Sequence, residues 1–127
     1  MSKRFLVVDD DSSIFLAYKK LFQNHGRILD TATSLPEAKG LLDLHEYELL
    51  ITDLRLSGVE SEEGFEVIQY ALNLNPRTKI IMVTAYGDAE VKERAYKTGA
   101  ACYFEKPLST KILKEALVEL NVNGMDH

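Results

Sequence analysis

Short apolar runs alternate with amphipathic segments along the whole chain. The runs are rich in Val, Ile and Leu, which is typical of strands buried on both faces of a parallel sheet. Five repeats of this alternation predict a (βα)5 fold, with right-handed crossovers between parallel strands. The second run is more polar than the others and is expected near an edge of the sheet. The predicted strands are Phe5–Val8, Arg27–Thr33, Tyr47–Thr52, Lys79–Thr84 and Ala101–Phe104.

Capping residues support the same division of the chain. Ser34 stands three residues before Glu37, which is the spacing of a capping box. The fourth predicted helix has a thin apolar stripe, formed by Val91 and Ala95, and Gly99 provides its C-terminal stop. A weakly anchored helix can move at low cost. The predicted N-caps are Ser12, Ser34, Asp88 and Ser109.

Composition narrows the class of protein. The length of 127 residues suits one domain, and the net charge of −5 argues against a nucleic-acid-binding or anionic-membrane-binding surface. No run has the length of a signal peptide core or a transmembrane helix, so we expect a cytosolic protein. A single cysteine, Cys102, excludes an internal disulfide and is interpreted as a buried structural thiol. The histidines share no spacing with the acids and are interpreted as surface residues: His25, His45 and His127.

Charged and hydroxyl side chains stand at the ends of four predicted strands. Asp9 and Asp10 follow the first strand, Asp53 follows the third, Thr84 ends the fourth and Lys106 follows the fifth. The carboxyl ends of parallel strands share one edge, where ligands bind, so these side chains are expected to converge. Three carboxylates together require a cation, and Mg²⁺ prefers such oxygen ligands. A carboxylate can also accept a phosphoryl group, which an ammonium and a hydroxyl could hold.

Four motifs at these strand ends resemble the receiver domain of the response-regulator family of two-component signalling. They are Val7–Asp11, Ile51–Leu54, Val83–Gly87 and Tyr103–Pro107, within a similarity that covers roughly residues 4–120. The resemblance implies a flavodoxin-like, doubly wound sheet with strand order 2-1-3-4-5. It also implies a single domain over residues 1–127, with residues 121–127 as a tail or the start of a linker. No Gly-rich loop follows the first strand, which excludes a dinucleotide fingerprint and a P-loop.

The resemblance implies a phosphoryl-transfer role for four of the strand-end residues and for Arg55. Asp53 would be the phosphoacceptor and also a Mg²⁺ ligand, and Lys106 would pair with the phosphoryl group. Asp10 would bind Mg²⁺ directly, Asp9 would bind it directly or through water, and the backbone carbonyl of Arg55 would complete the protein ligands. The phosphoryl donor would be a sensor histidine kinase or a phosphotransfer protein.

The resemblance also implies a switch and a control on phosphoryl lifetime. Thr84 would be the switch hydroxyl, and Tyr103 would be the aromatic that turns inward when Thr84 moves, although Tyr103 taken alone equally suits a core residue. Arg55 and Tyr86 would flank the phosphoryl group and set its lifetime. The Lys106–Pro107 peptide bond would be cis. The fourth helix, fifth strand and fifth helix would then bind an effector or output domain, or form a phosphorylation-dependent homodimer.

The segment after Asp53 departs from the family pattern. Leu56 and Ser57 replace the usual Met-Pro pair, and the expected glycine is Gly64, three positions later than usual. The loop Leu54–Gly64 is therefore longer, and the missing proline is expected to loosen it. Its acids are interpreted as solvated: Glu60, Glu62 and Glu63.

Two other functions compete with this interpretation. Residues Asp9–Ser13 also fit the motif of haloacid-dehalogenase-type phosphatases, with Asp9 as nucleophile and Asp11 as general acid. That family gives no role to Asp53, and the chain is short for its fold. A pseudo-receiver that binds partners without phosphorylation is the other alternative. In the receiver interpretation Asp11 is only a capping or surface residue.

Overall fold

The computed structural model describes residues 4–23, 26–58 and 61–122. These residues form a parallel five-stranded sheet with strand order β2-β1-β3-β4-β5, which confirms the predicted doubly wound fold. The strands are β1 Arg4–Val8, β2 Ile28–Ala32, β3 Leu49–Thr52, β4 Lys79–Thr84 and β5 Cys102–Glu105. A 3-10 turn at Ser12–Ile14 precedes the helices α1 Phe15–Gln23, α2 Leu35–Leu44, α3 Glu63–Leu74, α4 Ala89–Thr98 and α5 Thr110–Glu119.

The register of the sheet aligns the ends of its central strands. Val8 at the end of β1 lies opposite Ala32 of β2 on one side and Thr52 of β3 on the other. The more polar β2 lies at an edge, as predicted, but it ends before Thr33. The Thr33 N–H donates to the Glu37 carboxylate over 2.6 Å and so bonds to α2 instead of the sheet.

Alternating side chains of the strands build a core on each face of the sheet. One face packs Leu6, Leu50 and Met82 against α2, α3 and α4. The other face packs Phe5 and Ile81 against α1 and α5. Each fully buried aliphatic side chain contributes about 1.5–3 kcal/mol relative to its exposed state. Helix α4 contributes only Ala95 as a fully buried residue, so few core contacts fix its position.

Three of the four predicted N-caps are present and one is wrong. Ser34, Asp88 and Ser109 each accept a hydrogen bond from a backbone N–H in the following turn. Ser12 lies inside the 3-10 turn, and Asp11 is the N-cap, accepting from the Ser13 N–H over 3.1 Å. The N-cap therefore lies one residue before the predicted one, because a 3-10 turn that begins at Ser12 precedes the regular helix.

Only one of the three histidines, His45, lies in the described part of the chain, and it is partly exposed. His45 is half-buried, and its ring packs edge-to-face on Tyr47 with 6.1 Å between centroids. His25 and His127 lie outside the described residues. The Cys102 thiol is half-buried rather than buried, and desolvation by burial raises its pKa, which suits a structural thiol. Among the described helices, none has both the length and the apolar character needed to cross a bilayer.

Candidate metal and phosphoryl site

Backbone hydrogen bonds continue the sheet for one residue beyond three of its strands. The N–H of Asp9 donates to the Ala32 carbonyl over 3.0 Å, and the N–H of Asp53 donates to the Val8 carbonyl over 2.9 Å. The Lys106 N–H similarly donates to the Thr84 carbonyl over 2.9 Å. The two acids and the lysine are therefore held at one edge of the sheet by its own ladder.

The Lys106 ammonium joins the two buried carboxylates of this edge. Its Nζ lies 2.6 Å from Asp9 Oδ2 and 3.0 Å from Asp53 Oδ2, although the sequence separates these partners by 97 and 53 positions. Asp9 and Asp53 are only 2% and 5% exposed. One ammonium thus bridges two acids that would otherwise repel each other in a poorly solvated site.

Burial and hydrogen bonding act against each other in this cluster. Burial alone would lower the pKa of Lys106, but its hydrogen bonds to Asp9 and Asp53 outweigh that effect and raise the pKa above the usual value. Burial raises the pKa of Asp9, and the charge of Asp53 adds to this effect. The Lys106 ammonium and the Asp11 N–H oppose the rise by bonding to the Asp9 carboxylate.

Three carboxylates form a group that fits a divalent cation. One oxygen each from Asp9, Asp10 and Asp53 lie within 4.8 Å of one another, and Asp10 is exposed. With all groups ionised, Lys106 leaves two negative charges of this group uncompensated. A hard cation with oxygen ligands and several retained waters, such as Mg²⁺, matches this charge and donor set. The structure therefore brings together the three acids predicted as metal ligands.

The predicted switch residues lie beside this cluster. Thr84 is fully buried, and its hydroxyl oxygen accepts a hydrogen bond from the Tyr86 N–H over 3.1 Å. Tyr103 is 8% exposed, and its hydroxyl donates to Glu105 over 3.3 Å. A Cβ on Gly87 would lie 1.5 Å from the Tyr103 hydroxyl, so this ring fills the space that the glycine leaves.

The two residues predicted to flank the phosphoryl group contact each other. The Arg55 guanidinium lies 4.1 Å from the centroid of the Tyr86 ring, a cation–π geometry that the sequence does not reveal. Arg55 is half-buried and Tyr86 is 47% exposed, so the pair lies at the surface of the crevice at the carboxyl ends of the strands. The Lys106–Pro107 peptide bond is cis.

The start of the long loop packs into the core, while the loosening expected from its missing proline stays a prediction. Leu54 and Leu56 are buried in the core. At the other end, the Gly64 N–H donates to the Leu54 carbonyl over 2.8 Å. A Cβ on Gly64 would lie only 2.1 Å from the Asp53 carbonyl oxygen, so only glycine fits this close approach.

Two acids predicted to be solvated have structural roles. Glu63 is the first residue of α3 and is partly buried. Glu62 pairs with Arg94 of α4 over 2.9 Å. Arg94 was not among the predicted site residues, because a pair separated by 32 positions leaves no local signal. Glu60 lies outside the described residues.

Asp11 stands apart from the metal-binding group. It is exposed, caps the 3-10 turn and is not among the acids that converge. Hydrogen bonds from the Ser13 hydroxyl and N–H lower its pKa. A general acid needs a proton near neutral pH, so this environment does not suit the acid role that the phosphatase alternative requires of Asp11.

Known proteins share both the sequence pattern and the fold. Residues 5–118 match the response regulator receiver domain family. The chain is 33% identical over 117 residues to the response regulator protein PilR of Pseudomonas aeruginosa, covering 89% of the chain and 25% of PilR. The chain thus spans about a quarter of the length of that relative.

Solved structures give the same result. A CheY-like receiver domain protein of Methanospirillum hungatei JF-1 superposes with a TM-score of 0.84 and 30% identity, covering 95% of each chain. A response regulator of Burkholderia pseudomallei was solved with a phosphorylated aspartic acid, calcium ion and citrate. It superposes with a TM-score of 0.81 and 27% identity, covering 98% of this chain and 70% of that one. A beryllofluoride-activated NtrC4 receiver dimer gives 0.82 and 26%, covering 93% and 95%. Fold, site geometry and family match together show that this chain belongs to the response regulator receiver domains of two-component signalling.

Proposed function

We propose that Asp53 accepts a phosphoryl group from the phosphohistidine of a sensor histidine kinase or phosphotransfer protein, with Mg²⁺ held by the neighbouring acids. The observation that carries this proposal is the contact of Lys106 Nζ with Asp53 Oδ2 at 3.0 Å, beside three converging carboxylates. The cytosolic location expected from the sequence fits this role and stays a prediction.

The transfer exchanges one bond to phosphorus for another. A carboxylate oxygen of Asp53 forms the new P–O bond while the P–N bond to the donor imidazole breaks, and the imidazole leaves with its electron pair. Lys106 already lies where its ammonium can hold a phosphoryl oxygen as a point charge. Asp9, Asp10, Asp53 and the Arg55 carbonyl would hold Mg²⁺, which would neutralise charge on the transferring group.

The donor has an apolar surface to approach beside this site. A groove of about 660 Å³ runs between α1 and α5 and reaches Lys106 and Pro107. Tyr18, Leu21 and Leu113 line it. A partner that covers this groove would bring its histidine close to Asp53, which supports a protein rather than only a small molecule as the donor.

Phosphorylation would act as a switch through Thr84 and Tyr103. The Thr84 hydroxyl oxygen accepts from the Tyr86 N–H, and a phosphoryl group on Asp53 would offer strong acceptor oxygens to which the Thr84 hydroxyl could donate its proton. Movement of Thr84 would alter the space next to Tyr103 and bias helix α4, which has few core contacts. The altered α4–β5–α5 face would then bind an output domain or effector, or a second copy of the chain.

The Arg55–Tyr86 pair would protect the phosphoryl group from water. Arg55 lies two residues after Asp53 in sequence, and its guanidinium lies over the Tyr86 ring. We expect Tyr86→Ala to lose its phosphoryl group faster than wild type, measured as the decay of phosphoprotein after donor removal. Tyr96→Ala is the matched control, because Tyr96 is similarly exposed at 45% but lies on α4. Equal decay in all three proteins would contradict the shielding role.

Labelling with a small acyl-phosphate donor and Mg²⁺ tests the phosphoacceptor directly. Wild type and Asp11→Ala should each gain one phosphoryl group by intact-protein mass spectrometry, and Asp53→Ala should gain none. Phosphate on Asp9 with continuous turnover would support the phosphatase alternative. Absence of both labelling and Mg²⁺ binding in wild type would support the pseudo-receiver alternative.

A further inference from the structure

Arg94 connects helix α4 to the segment that leads into α3. Its Nη1 lies 2.9 Å from Glu62 Oε1, and its guanidinium carbon lies 4.4 Å from the centroid of the Phe65 ring. Glu62 is the N-cap residue of α3 and Phe65 lies in its first turn. One side chain of α4 therefore holds both the cap and the first buried ring of the neighbouring helix.

This contact continues to the backbone of Asp53. Gly64 lies between Glu62 and Phe65 in sequence, and its N–H donates to the Leu54 carbonyl over 2.8 Å. The position of a Cβ on Gly64 falls 2.1 Å from the Asp53 carbonyl oxygen and 2.7 Å from the Leu54 Cα. With so little space, the start of α3 cannot shift toward the sheet unless the Asp53–Leu54 backbone moves.

The other end of the long loop is tied to the same side of the molecule. Arg55 stacks on Tyr86, which precedes α4, at 4.1 Å. Arg94 makes the second such contact, with the arginine on α4 and the aromatic ring of Phe65 on α3. Two arginine–aromatic contacts thus hold the two ends of the loop against the β4–α4 side of the crevice.

We infer that Arg94 is a positioning residue for the Asp53 site, acting through Glu62, Phe65 and Gly64 on the Asp53–Leu54 backbone. The inference rests on the proposed phosphoacceptor function for its consequence in phosphoryl transfer. The coupling between α4 and the Asp53 site is reciprocal. If the position of α4 stabilises the site, then a change at the site must also bias the position of α4. This route is separate from that through Thr84 and Tyr103.

The expected effect of truncating Arg94 on the site depends on how exposed its contacts with Glu62 and Phe65 are. Arg94 and Glu62 side chains are 47% and 50% exposed, so their ion pair alone is weak. The planar guanidinium over the buried Phe65 ring adds a cation–π contribution. Together they predict a change of roughly two- to fivefold in equilibria at the site when Arg94 is truncated.

The test compares Arg94→Ala and Arg94→Lys with Lys97→Ala in the full chain. Lys97 is the matched control, because it lies on α4 at 75% exposure and, among the described residues, pairs with Glu93 of the same helix and not with α3. Three quantities are measured: Mg²⁺ affinity by calorimetry, the initial rate of labelling by a small acyl-phosphate donor, and amide hydrogen exchange at Leu54. The Leu54 N–H donates to the Asp53 carboxylate over 2.6 Å, so its exchange reports on the site without metal or phosphate.

Arg94→Ala should bind Mg²⁺ roughly two- to fivefold more weakly, label more slowly and exchange faster at Leu54. Arg94→Lys should recover part of each loss because it keeps the charge beside Glu62, and Lys97→Ala should match wild type. Equal Mg²⁺ affinity and equal Leu54 exchange in Arg94→Ala and Lys97→Ala would overturn the inference, even if both variants were less stable. If wild type fails to label while Leu54 exchange still rises only in the Arg94 variants, the positioning role stands and the phosphoacceptor proposal fails.

Discussion

The two edges of the sheet both bury polar side chains, but they balance their charges differently. At the amino edge, Arg4 pairs with Asp30 over 2.9 Å, and the Tyr47 hydroxyl donates to the same carboxylate over 2.6 Å. Arg27 lies 3.7 Å from Glu48 nearby. Among the described residues, each of these two arginines thus has an acidic partner that balances its charge.

At the carboxyl edge, one ammonium faces three converging carboxylates. Asp9 and Asp53 bond to Lys106, while Asp10 remains exposed. This excess of negative charge is costly in a buried site unless a cation binds. The comparison teaches that buried polar groups by themselves do not indicate function. The uncompensated negative charge distinguishes the carboxyl edge, which is the reactive edge, from the amino edge, which is structural.

The largest effect should come from filling the space between α3 and the reactive edge. Gly64→Ala places a Cβ against the backbone of Asp53 and Leu54, so we expect a loss of stability of about 3 kcal/mol. Gly40→Ala is the control: no atom lies within 4 Å of its added Cβ in α2, so a gain of up to about 1 kcal/mol is expected. Urea unfolding measures both, and similar stabilities would contradict the close approach.

Mg²⁺ should stabilise the reactive edge alone. At a concentration roughly 100 times its Kd, the ion should add about 2.7 kcal/mol to the free energy of unfolding of wild type. Asp10→Asn should lose most of this increment, because it removes the exposed ligand of the group. Asp11→Asn should keep it, since Asp11 only caps a turn. A full increment in Asp10→Asn, measured by thermal unfolding with and without Mg²⁺, would exclude this residue as a ligand.

The amino edge should respond to mutation without changing the site. Tyr47→Phe removes a partly buried hydrogen bond to the Asp30 carboxylate, and we expect a loss of about 1.5 kcal/mol in the free energy of unfolding. The Mg²⁺ increment and the labelling rate should stay at the wild-type level. A coupled loss of both would show that the two edges are not independent.

The smallest effect is a difference in the pH dependence of stability without Mg²⁺. Burial raises the pKa of Asp9 in the folded state above its usual 3.8. At pH values between 3.8 and that raised pKa, the folded state therefore binds more protons than the unfolded state. Stability from this group is fully present below pH 3.8 and falls as pH rises through the raised pKa. Asp9→Asn should remove this fall and be the more stable protein at neutral pH.

Urea unfolding of wild type and Asp9→Asn across this pH range checks the sign. Lys106 does not obscure it, because its pKa is raised from 10.5 and it stays charged throughout the range. Parallel stability curves for the two proteins would show that Asp9 does not titrate as its buried position implies.

Local patterns were sufficient for most of the fold. The strand Lys79–Thr84 was predicted to the residue, and Ser34, Asp88 and Ser109 cap their helices as expected. The predicted strands Tyr47–Thr52 and Ala101–Phe104 are wrong by one or two residues at their ends, since β3 is Leu49–Thr52 and β5 is Cys102–Glu105. The end of β2 is wrong because a side chain competes with the regular pattern. Glu37 takes the N–H of Thr33 from β2.

The sequence by itself determined the strand–helix alternation and the placement of acids, hydroxyl and lysine at strand ends, because both depend on periodicities of a few residues. Only the tertiary structure decided which side chains bond to one another. The bridge from Lys106 to Asp9 spans 97 positions and the pair of Arg94 with Glu62 spans 32. Such contacts depend on the distance and direction of side chains across packed elements, which residue order does not specify. The charge imbalance at one edge, and its balance at the other, arise from those contacts.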